Sequence, residues 1–422
     1  MSLNKQKVVV VGQGYVGLPV AMRAVQVGYK VVGIDVDKRR VDGLRNGVSY
    51  VEDISNEELR AAIASGNYVA TDDYQDAVDF DVAVITVPTP LRESVPDLSY
   101  IEESAESLAA HLTVGSTVIL ESTTYPGTTE ELLVPILERG SGLRSAGDFY
   151  VGYSPERIDP GNKTWGFVET PKVVSGLNAQ ALERVRDFYD SIVETTVPVS
   201  SPREAEMTKL LENTFRHVNI ALVNELAIFA NQLGVNVWES IEAASTKPFG
   251  FMKFTPGPGV GGHCLPVDPS YLSWQVRRKL GQNFRFVELA NDINDHMPDY
   301  VLQRLMMLLN KQARALSGSH ILLCGLSYKR DSGDIRESPS LRLIELLLEA
   351  GAIISAVDHH VETYRWPDNV RRVELDSSTL EMFDASVLVT DHTDVDYELL
   401  VSSDVPVLDT RNRLKGANVE LL

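Results

Sequence analysis

The sequence predicts an α/β protein in which two Rossmann-like, doubly wound lobes are joined by a connector of long helices. Runs of aliphatic residues alternate with helical patterns at both ends of the chain. Between them, residues 203–233 have apolar residues at helical spacing and contain no glycine or proline. At 422 residues the chain exceeds one hydrophobic core, so we expect three domains, residues 1–200, 201–312 and 313–422.

Composition and charge restrict the class of protein. A hydrophobic content of 44% with 23% charged residues is typical of a soluble globular enzyme. The sequence has no apolar run of transmembrane length, no signal peptide and only two cysteines, so we expect a cytoplasmic protein without a membrane partner. The net charge of −20 argues against nucleic acid as a partner and means that an anionic ligand needs a local basic pocket.

A glycine-rich turn between two predicted strands, residues 7–11 and 30–34, is the first functional motif. Its sequence G-Q-G-Y-V-G has the spacing of the dinucleotide fingerprint. Gly12 permits the tight turn, Gly14 lets the backbone approach a pyrophosphate, and Gly17 lets the helix pack on the strand. The candidate cofactor contacts in the turn are Gly12, Gly14, Tyr15, Val16 and Gly17.

An acidic residue at the end of the second strand favours NAD as the cofactor over NADP. Asp35 lies 18 residues after Gly17, where a carboxylate accepts hydrogen bonds from ribose hydroxyls and repels a 2′-phosphate. Arg39 and Arg40 follow and weaken this preference, and Arg40 is itself a candidate cofactor contact.

Two threonines follow later strands of the first lobe. Residues 81–87 and 116–120 predict buried strands, with Thr89, Ser122 and Thr123 just beyond them. Ligands of open α/β sheets bind beyond the carboxyl ends of the strands, so these residues are candidate contacts to cofactor or substrate. Helix capping is the alternative role for such turns.

Two polar pairs follow. Glu156 and Arg157 come after a predicted strand, residues 149–153, and a proline, which indicates a site loop, with a solvated ion pair as the alternative. Lys209 and Asn213 are four residues apart in the long helix and share a face, where they could bind an oxyanion or form a solvent-facing polar stripe. The residues expected on buried sides of this helix are Leu210, Ile220 and Leu222.

A loop in the connector carries a candidate nucleophile. Residues 256–271 contain four glycines and four prolines, with Cys264 in the middle and Asp268 after it. A thiol beside a carboxylate suits covalent catalysis, whereas a buried structural cysteine is the alternative. A metal site from His263, Cys264 and Asp268 is disfavoured because a second Cys/His pair is missing. A disulfide between Cys264 and Cys324 is not expected in a reducing compartment.

The carboxy-terminal region predicts a second βαβ unit with a basic turn. The predicted strands cover residues 320–324, 353–357, 386–390 and 405–408. A helix at 340–350 follows a turn that carries Lys329, Arg330 and Arg336, and Arg411 follows the last strand. Basic side chains in such a turn indicate an anionic ligand.

Seven motifs occur in order along almost the whole chain. They are G-Q-G-Y-V-G at Gly12, S-T at Ser122, S-P-E-R at Ser154, K-L-L-E-N at Lys209, G-G-H-C-L-P-V-D at Gly261, Y-K-R-D-S-G-D-I-R-E-S at Tyr328 and D-T-R at Asp409. Together they resemble the nucleotide-sugar 6-dehydrogenase family, the UDP-glucose and GDP-mannose dehydrogenases. The resemblance implies oxidation of a sugar C6 alcohol to a carboxylate, with two hydrides passed to two NAD+ molecules.

The resemblance also implies roles for the candidate residues. Cys264 would form a thiohemiacetal and then a thioester, with Lys209 and Asn213 stabilising the C6 oxyanion and Asp268 assisting proton transfer or orienting water. The pair that would hold the hydrolytic water is Thr123 and Glu156. Arg336 would serve the cofactor side. The implied substrate contacts are Glu156, Arg157, Lys209, Asn213, Lys253, Gly261, Lys329 and Arg411.

The substrate implied is a UDP- or dTDP-linked sugar. G-G-H-C-L-P-V-D-P looks more like the UDP-N-acetylhexosamine branch than the glucose branch, which usually has G-G-S-C-F-x-K-D. Sugar and base both stay open because specificity lies in the pocket. The resemblance also implies a homodimer through the long helix. Two other functions stay open: a two-electron dehydrogenase of the β-hydroxyacid type, and a non-catalytic NAD-binding regulator.

Overall fold

The computed structural model describes residues 6–51, 53–92, 95–145, 147–158, 164–262 and 265–422. His263 and the predicted nucleophile Cys264 therefore lie outside the described residues. The chain divides into two compact units, Met1–Glu212 and Asn213–Leu422.

The first unit is organised on a parallel sheet. Its strands are β1 (Lys7–Val11), β2 (Lys30–Ile34), β3 (Tyr68–Thr71), β4 (Val82–Ile85), β5 (Leu91–Arg92), β6 (Val95–Pro96), β7 (Thr117–Leu120), β8 (Tyr150–Tyr153), β9 (Lys172–Val174) and β10 (Thr196–Pro198). Six of them pair in parallel in the order β3-β2-β1-β4-β7-β8. The order reverses between β1 and β4, which is where ligands bind in doubly wound sheets.

Helices connect these strands. They are α1 (Gly17–Gln26), α2 (Lys38–Arg45), α3 (Asn56–Ala64), α4 (Ser99–Ala109), α5 (Val134–Ser141) and α6 (Ala179–Ile192). Short polar side chains cap several of them. Ser55 accepts from the Glu58 amide at the start of α3, and Asn178 accepts from the Ala181 amide at the start of α6.

The second unit repeats the strand order of the first. Its strands are β11 (His320–Cys324), β12 (Ile353–Val357), β13 (Arg371–Arg372), β14 (Ala385–Leu388), β15 (Val407–Asp409) and β16 (Val419–Leu421). They pair in parallel in the order β13-β12-β11-β14-β15-β16. The predicted fold class, with two doubly wound lobes, is confirmed.

Helices precede and cover this second sheet. They are α7 (Pro202–Gln232), α8 (Val237–Ser245), α9 (Asp268–Leu280), α10 (Arg285–Asp295), α11 (Met297–Asn310), α12 (Pro339–Glu349), α13 (Ser377–Leu380) and α14 (Glu398–Val401). The predicted long helix corresponds to α7 within one residue at each end. None of the helices in the described part of the chain is long and apolar enough to cross a membrane.

One prediction about α7 is wrong. Leu210 is fully buried as expected, but Leu222 is 52% exposed. It belongs to an exposed apolar face of the helix, whose members are Met207, Leu211, Phe215, Leu222, Leu226 and Phe229. Apolar residues occupy more than one side of α7. Helical spacing alone therefore could not show which of these sides is buried within the chain and which is exposed.

Candidate active site

The glycine-rich turn packs between the carboxyl ends of β1 and β4. Gly12 has a φ of 90°, and a Cβ there would lie 2.8 Å from the carbonyl oxygen of Thr86. A Cβ on Gly17 would lie 1.8 Å from the Gly12 oxygen, whereas one on Gly14 would meet nothing within 4 Å. The turn is thus closed on the strand side and open at Gly14, as a pyrophosphate requires. The sequence did not single out Thr86, whose hydroxyl donates to the carbonyl oxygens of Val11 and Gly12.

Asp35 lies beside this turn and is buried. One carboxylate oxygen accepts from the Gln13 amide and the other from the Asp37 amide, both at 2.9 Å. The guanidinium of Arg40 lies 3.6 Å from the carboxylate. Asp35 is therefore fixed as an anionic acceptor near the turn, which fits the ribose of NAD. Tyr15, in the turn itself, is 39% exposed.

The predicted threonines meet at the ends of two neighbouring strands. The hydroxyl of Thr89, after β4, donates to the carbonyl oxygen of Thr123, after β7, at 2.9 Å. Ser122 donates to the carbonyl oxygen of Val87 at 2.7 Å. The structure brings these candidates together at the carboxyl edge of the first sheet.

Glu156 and Lys209 also lie together. The Lys209 ammonium donates to the backbone carbonyl oxygen of Glu156 at 2.6 Å. Oε1 of Glu156 accepts from the amides of Arg157 and Ile158, at 2.7 and 2.6 Å, and Oε2 accepts from Lys172 at 2.9 Å. These contacts hold the Glu156 carboxylate in one orientation.

Sequence reasoning missed the buried charges behind Glu156. Lys172 also contacts Glu121, which is 1% exposed and accepts from the hydroxyl of Tyr189 at 2.7 Å. Burial raises the pKa of Glu121 to about 7. The position of Glu121 directly after a buried strand could have marked it as a candidate. Its partner Lys172 is 51 residues away, however, and the sequence pattern does not predict that contact.

Arg157 is oriented toward α7 rather than toward open solvent. Its guanidinium donates to the carboxylate of Glu212 at 2.6 Å and to the carbonyl oxygen of Pro171 at 2.5 Å. This ion pair is partly buried rather than solvated, and a substrate contact by Arg157 stays a prediction.

Asn213 and Asp268 form the corresponding pair in the second unit. The Asn213 amide nitrogen donates to Oδ2 of Asp268 at 2.5 Å, and both side chains are buried. Asp268 is the first residue of α9, where a carboxylate is stabilised by the helix amino terminus. The structure thus brings together two residues that the sequence separates by 55 positions.

The glycines before Cys264 pack against the basic turn that follows β11. Gly262 has a φ of 86°, and its amide donates to the carbonyl oxygen of Arg336 at 3.0 Å. A Cβ on Gly262 would lie 2.7 Å from the ring of Tyr328, and one on Gly261 would lie 2.6 Å from the Tyr328 Cβ. Only glycine lets the loop approach the turn this closely.

The basic candidates of the second unit have separate partners. Arg336 forms a bidentate pair with Asp334, at 2.9 and 2.5 Å, and Lys253 pairs with Glu242 on α8. Lys329 is half-buried within the turn itself.

Arg411 lies against the opposite end of the glycine loop. Its Nε donates to the carbonyl oxygen of Val389 at 2.7 Å, and a Cβ on Gly257 would come within 3.0 Å of its guanidinium. Burial lowers the pKa of Arg411 to about 10. The structure therefore brings Arg411 to the glycine loop, and it places Lys253 with α8.

A histidine network joins the carboxyl ends of β11, β12 and β14. Asp331, His360, His392 and Asp394 have potential metal ligands within 4.8 Å of one another. However, Nε2 of His392 donates to Asp358 at 3.0 Å and Nδ1 accepts from the Asp331 amide at 3.0 Å. Both ring nitrogens of His392 therefore take part in hydrogen bonds, and the group forms a hydrogen-bond network at the edge of the sheet.

Three family models match consecutive parts of the chain. Residues 6–218 match the NAD binding domain of the UDP-glucose/GDP-mannose dehydrogenase family, residues 203–296 its central domain and residues 322–416 its UDP binding domain. Together, these three domain models of one family match nearly the whole chain.

Named relatives agree with these matches. UDP-N-acetyl-D-mannosamine dehydrogenase of Pyrococcus horikoshii is 36% identical over 415 residues, 97% of this chain and 96% of that protein. UDP-N-acetyl-D-glucosamine 6-dehydrogenase of Pseudomonas aeruginosa is 40% identical over 356 residues, 83% of this chain and 82% of that protein. The solved structure of UDP-D-ManNAc dehydrogenase from Pyrococcus horikoshii has a TM-score of 0.89 at 34% identity and covers 99% of this chain and 98% of its own.

Proposed function

Because the chain belongs to the UDP-glucose/GDP-mannose dehydrogenase family, we propose that it oxidises C6 of a UDP-N-acetylhexosamine to the uronic acid through a thioester on Cys264. The family establishes an NAD-dependent nucleotide-sugar dehydrogenase. The sugar, the covalent step and the residue roles are the proposal.

The sugar is inferred from relatives and from one motif. The named relatives act on UDP-N-acetyl-D-mannosamine and UDP-N-acetyl-D-glucosamine, and their similarity extends over most of this chain. The G-G-H-C-L-P-V-D motif at Gly261 supports the same branch. UDP-glucose and dTDP-glucose are the competing substrates.

The covalent step follows from the chemistry of the aldehyde intermediate. An aldehyde gives up a hydride readily only after a nucleophile has added to it. The Cys264 sulfur would form a bond to C6 while the carbonyl π electrons move to oxygen, which takes a proton. Loss of a hydride to NAD+ and of the hydroxyl proton to a base would leave a thioester; water would then add to C6, and cleavage of the C6–S bond would release the thiolate and the carboxylate.

This proposal is supported by residues before and after Cys264 in the sequence that hydrogen bonds hold in place. Gly262 is bonded to the basic turn, and Asp268 is held by Asn213 at 2.5 Å. Asp268 would move the protons of the addition, and Asn213 with Lys209 would stabilise the oxyanion. Glu156 with Thr123 would direct the hydrolytic water.

The glycine turn and Asp35 would hold NAD+, which supplies the hydride acceptor, two equivalents per sugar. Gly14 is open for the pyrophosphate, and the carboxylate of Asp35 would accept from the ribose. Residues 1–200 would form this cofactor domain, residues 313–422 the nucleotide domain and residues 201–312 the connector. The exposed apolar face of α7 would pair with a second copy of the chain, giving a homodimer.

The test is the number of NADH formed per sugar consumed, over UDP- and dTDP-linked glucose and N-acetylhexosamines. We expect two NADH per acid with a UDP-N-acetylhexosamine and no acid from Cys264→Ser. Cys324→Ala is the matched control, because burial raises the pKa of that thiol to about 12 and keeps it inert. One NADH per turnover that is insensitive to Cys264→Ser would favour the β-hydroxyacid-type enzyme. NAD binding without turnover would favour the regulator.

A further inference from the structure

A buried group of charged side chains lies behind Glu156 and has no role in the reaction described so far. Lys172 contacts the carboxylates of Glu121 and Glu156, and Tyr189 donates to the far oxygen of Glu121. The Lys172 ammonium also lies 5.4 Å from the centre of the Tyr189 ring. Lys172 and Glu121 are 3% and 1% exposed, so water does little to stabilise their charges.

We propose that Lys172, supported by Glu121 and Tyr189, is a positioning residue that keeps the Glu156 carboxylate ionised and oriented for hydrolysis of the thioester. This inference rests on the proposed function, in which Glu156 directs the hydrolytic water.

The contacts of Glu156 show what Lys172 contributes. Its Oε1 is held by two backbone amides, those of Arg157 and Ile158, which no side-chain substitution removes. Its Oε2 is held by Lys172 at 2.9 Å. A carboxylate oxygen has a second lone pair, so Oε2 can accept from Lys172 and from a water at the same time. Lys172 therefore sets the direction in which that second lone pair points.

The other charged groups around Glu156 do not replace Lys172. Lys209 donates to the backbone carbonyl oxygen, and the guanidinium of Arg157 is bound to a carboxylate on α7. Glu121 has the same charge sign, and Tyr189 donates to Glu121. Burial alone would raise the pKa of Glu156, but the Lys172 ammonium and the hydrogen bonds that the carboxylate accepts together outweigh burial and lower that pKa to about 2.

The charge balance explains why Glu121 and Tyr189 are present. Two buried carboxylates beside one ammonium would leave a net negative charge, which is costly in a dry site. Glu156 keeps its charge because two amides and Lys172 bind it, and Glu121 takes the proton more readily. The Tyr189 hydroxyl then fixes Glu121 on the side away from Lys172.

Lys172→Met/Glu121→Gln is the test variant, because it removes the ammonium together with the Glu121 carboxyl group, so that Glu121 is not left as a buried acid without its cation. After rapid mixing with UDP-sugar and NAD+, the mass of the covalent adduct on Cys264 and the rate of acid formation are followed from about pH 5 to about pH 9. We expect hydrolysis to slow about tenfold near neutral pH while the adduct accumulates. The rate of hydrolysis should recover as the pH rises. Without the Lys172 ammonium, Glu156 loses its proton only at a higher pH, and only the ionised carboxylate directs the water.

The control is Arg304→Met/Glu420→Gln, which removes a buried cation and its carboxylate partner in the second unit. It should lower thermal stability without changing the pH profile. Adduct turnover at the wild-type rate with a wild-type pH profile in Lys172→Met/Glu121→Gln would overturn the inference. Acid formation with no adduct at any pH in either the wild-type enzyme or the variant would instead refute the proposed function, so the two failures are distinct.

Discussion

Asn213 donates a 2.5 Å hydrogen bond to Asp268 across 55 residues of sequence, and both side chains are buried. A buried carboxylate bound by a side-chain amide is held in one orientation. This hydrogen bond fixes the side chain of Asp268, which follows the predicted nucleophile Cys264 by four residues.

Asp268→Asn should reduce kcat by at least about 100-fold, because it replaces the proton acceptor with a neutral amide. Asn213→Ala leaves the buried carboxylate short of one donor and should cost about 1–3 kcal/mol of stability as well as activity. Steady-state kinetics and thermal unfolding separate the two effects. An Asp268→Asn enzyme with wild-type kcat would contradict the role given to this residue.

Gly262→Ala should lower the unfolding temperature more than Gly281→Ala. Both positions have positive φ, 86° and 65°, so alanine costs about 1–2 kcal/mol of backbone strain at either. Only at Gly262 does the new Cβ also meet a neighbour, the Tyr328 ring at 2.7 Å. Equal decreases in the unfolding temperature, measured by calorimetry, would show that the loop does not depend on this contact.

Asp35→Asn should reduce kcat/KM for NAD about tenfold and raise the relative use of NADP. The change removes an anionic acceptor for ribose and the charge that repels a 2′-phosphate. Arg40, 3.6 Å from the carboxylate, would then be available to the phosphate. The double variant Asp35→Asn/Arg40→Ala should therefore lose this gain in NADP use. The measurement is the ratio of kcat/KM for NAD to kcat/KM for NADP in the wild-type enzyme, Asp35→Asn and the double variant.

Glu206 should make the protein less stable as the pH rises from about 4.5 to about 7. Burial raises its folded pKa from 4.5 to about 7, although it accepts hydrogen bonds from Gly127 and Thr129. The folded state then binds more protons than the unfolded state, so this contribution is complete below the unfolded pKa and is lost as the pH passes the folded pKa. The shift corresponds to about 3 kcal/mol, and Glu206→Gln should remove that part of the pH dependence of urea unfolding. An unchanged pH dependence in Glu206→Gln would contradict the assignment.

Leu226→Glu should convert the proposed homodimer to a monomer. Leu226 belongs to the exposed apolar face of α7, and a charge there would have to be desolvated against the partner copy. Met306→Glu, at another exposed apolar position on α11, is the control and should leave the mass unchanged. Light scattering on the eluted peak gives the mass, and a monomeric wild-type protein would refute the dimer.

The fold could be predicted from the sequence because its signals are local. The strands at 320–324 and 353–357 coincide with β11 and β12, since continuous aliphatic runs bounded by polar residues leave few alternatives. The short edge strands β3, β13 and β16 were not predicted, because a strand of only two to four residues is too short to give a clear hydrophobic pattern.

The candidate site could be predicted only residue by residue. Spacing identified Gly12 and Asp35, whose roles depend on positions close in sequence. It could not identify Lys172 as the partner of Glu121 and Glu156, because that contact depends on how β9 packs beside β7 and β8, which belong to a different sheet. Nor could it show that Leu222 faces outward, since burial depends on tertiary packing.

The hydrogen bond from the Gly262 amide to Arg336 makes this single proton a reporter for the glycine loop. Deuterium replaces it only when the loop lifts away from the turn after β11, so its exchange rate counts those openings. A nucleotide that orders the turn would slow the exchange before any chemistry takes place. Exchange at this one amide would thus measure how often the glycine loop and the turn after β11 separate, with and without a nucleotide.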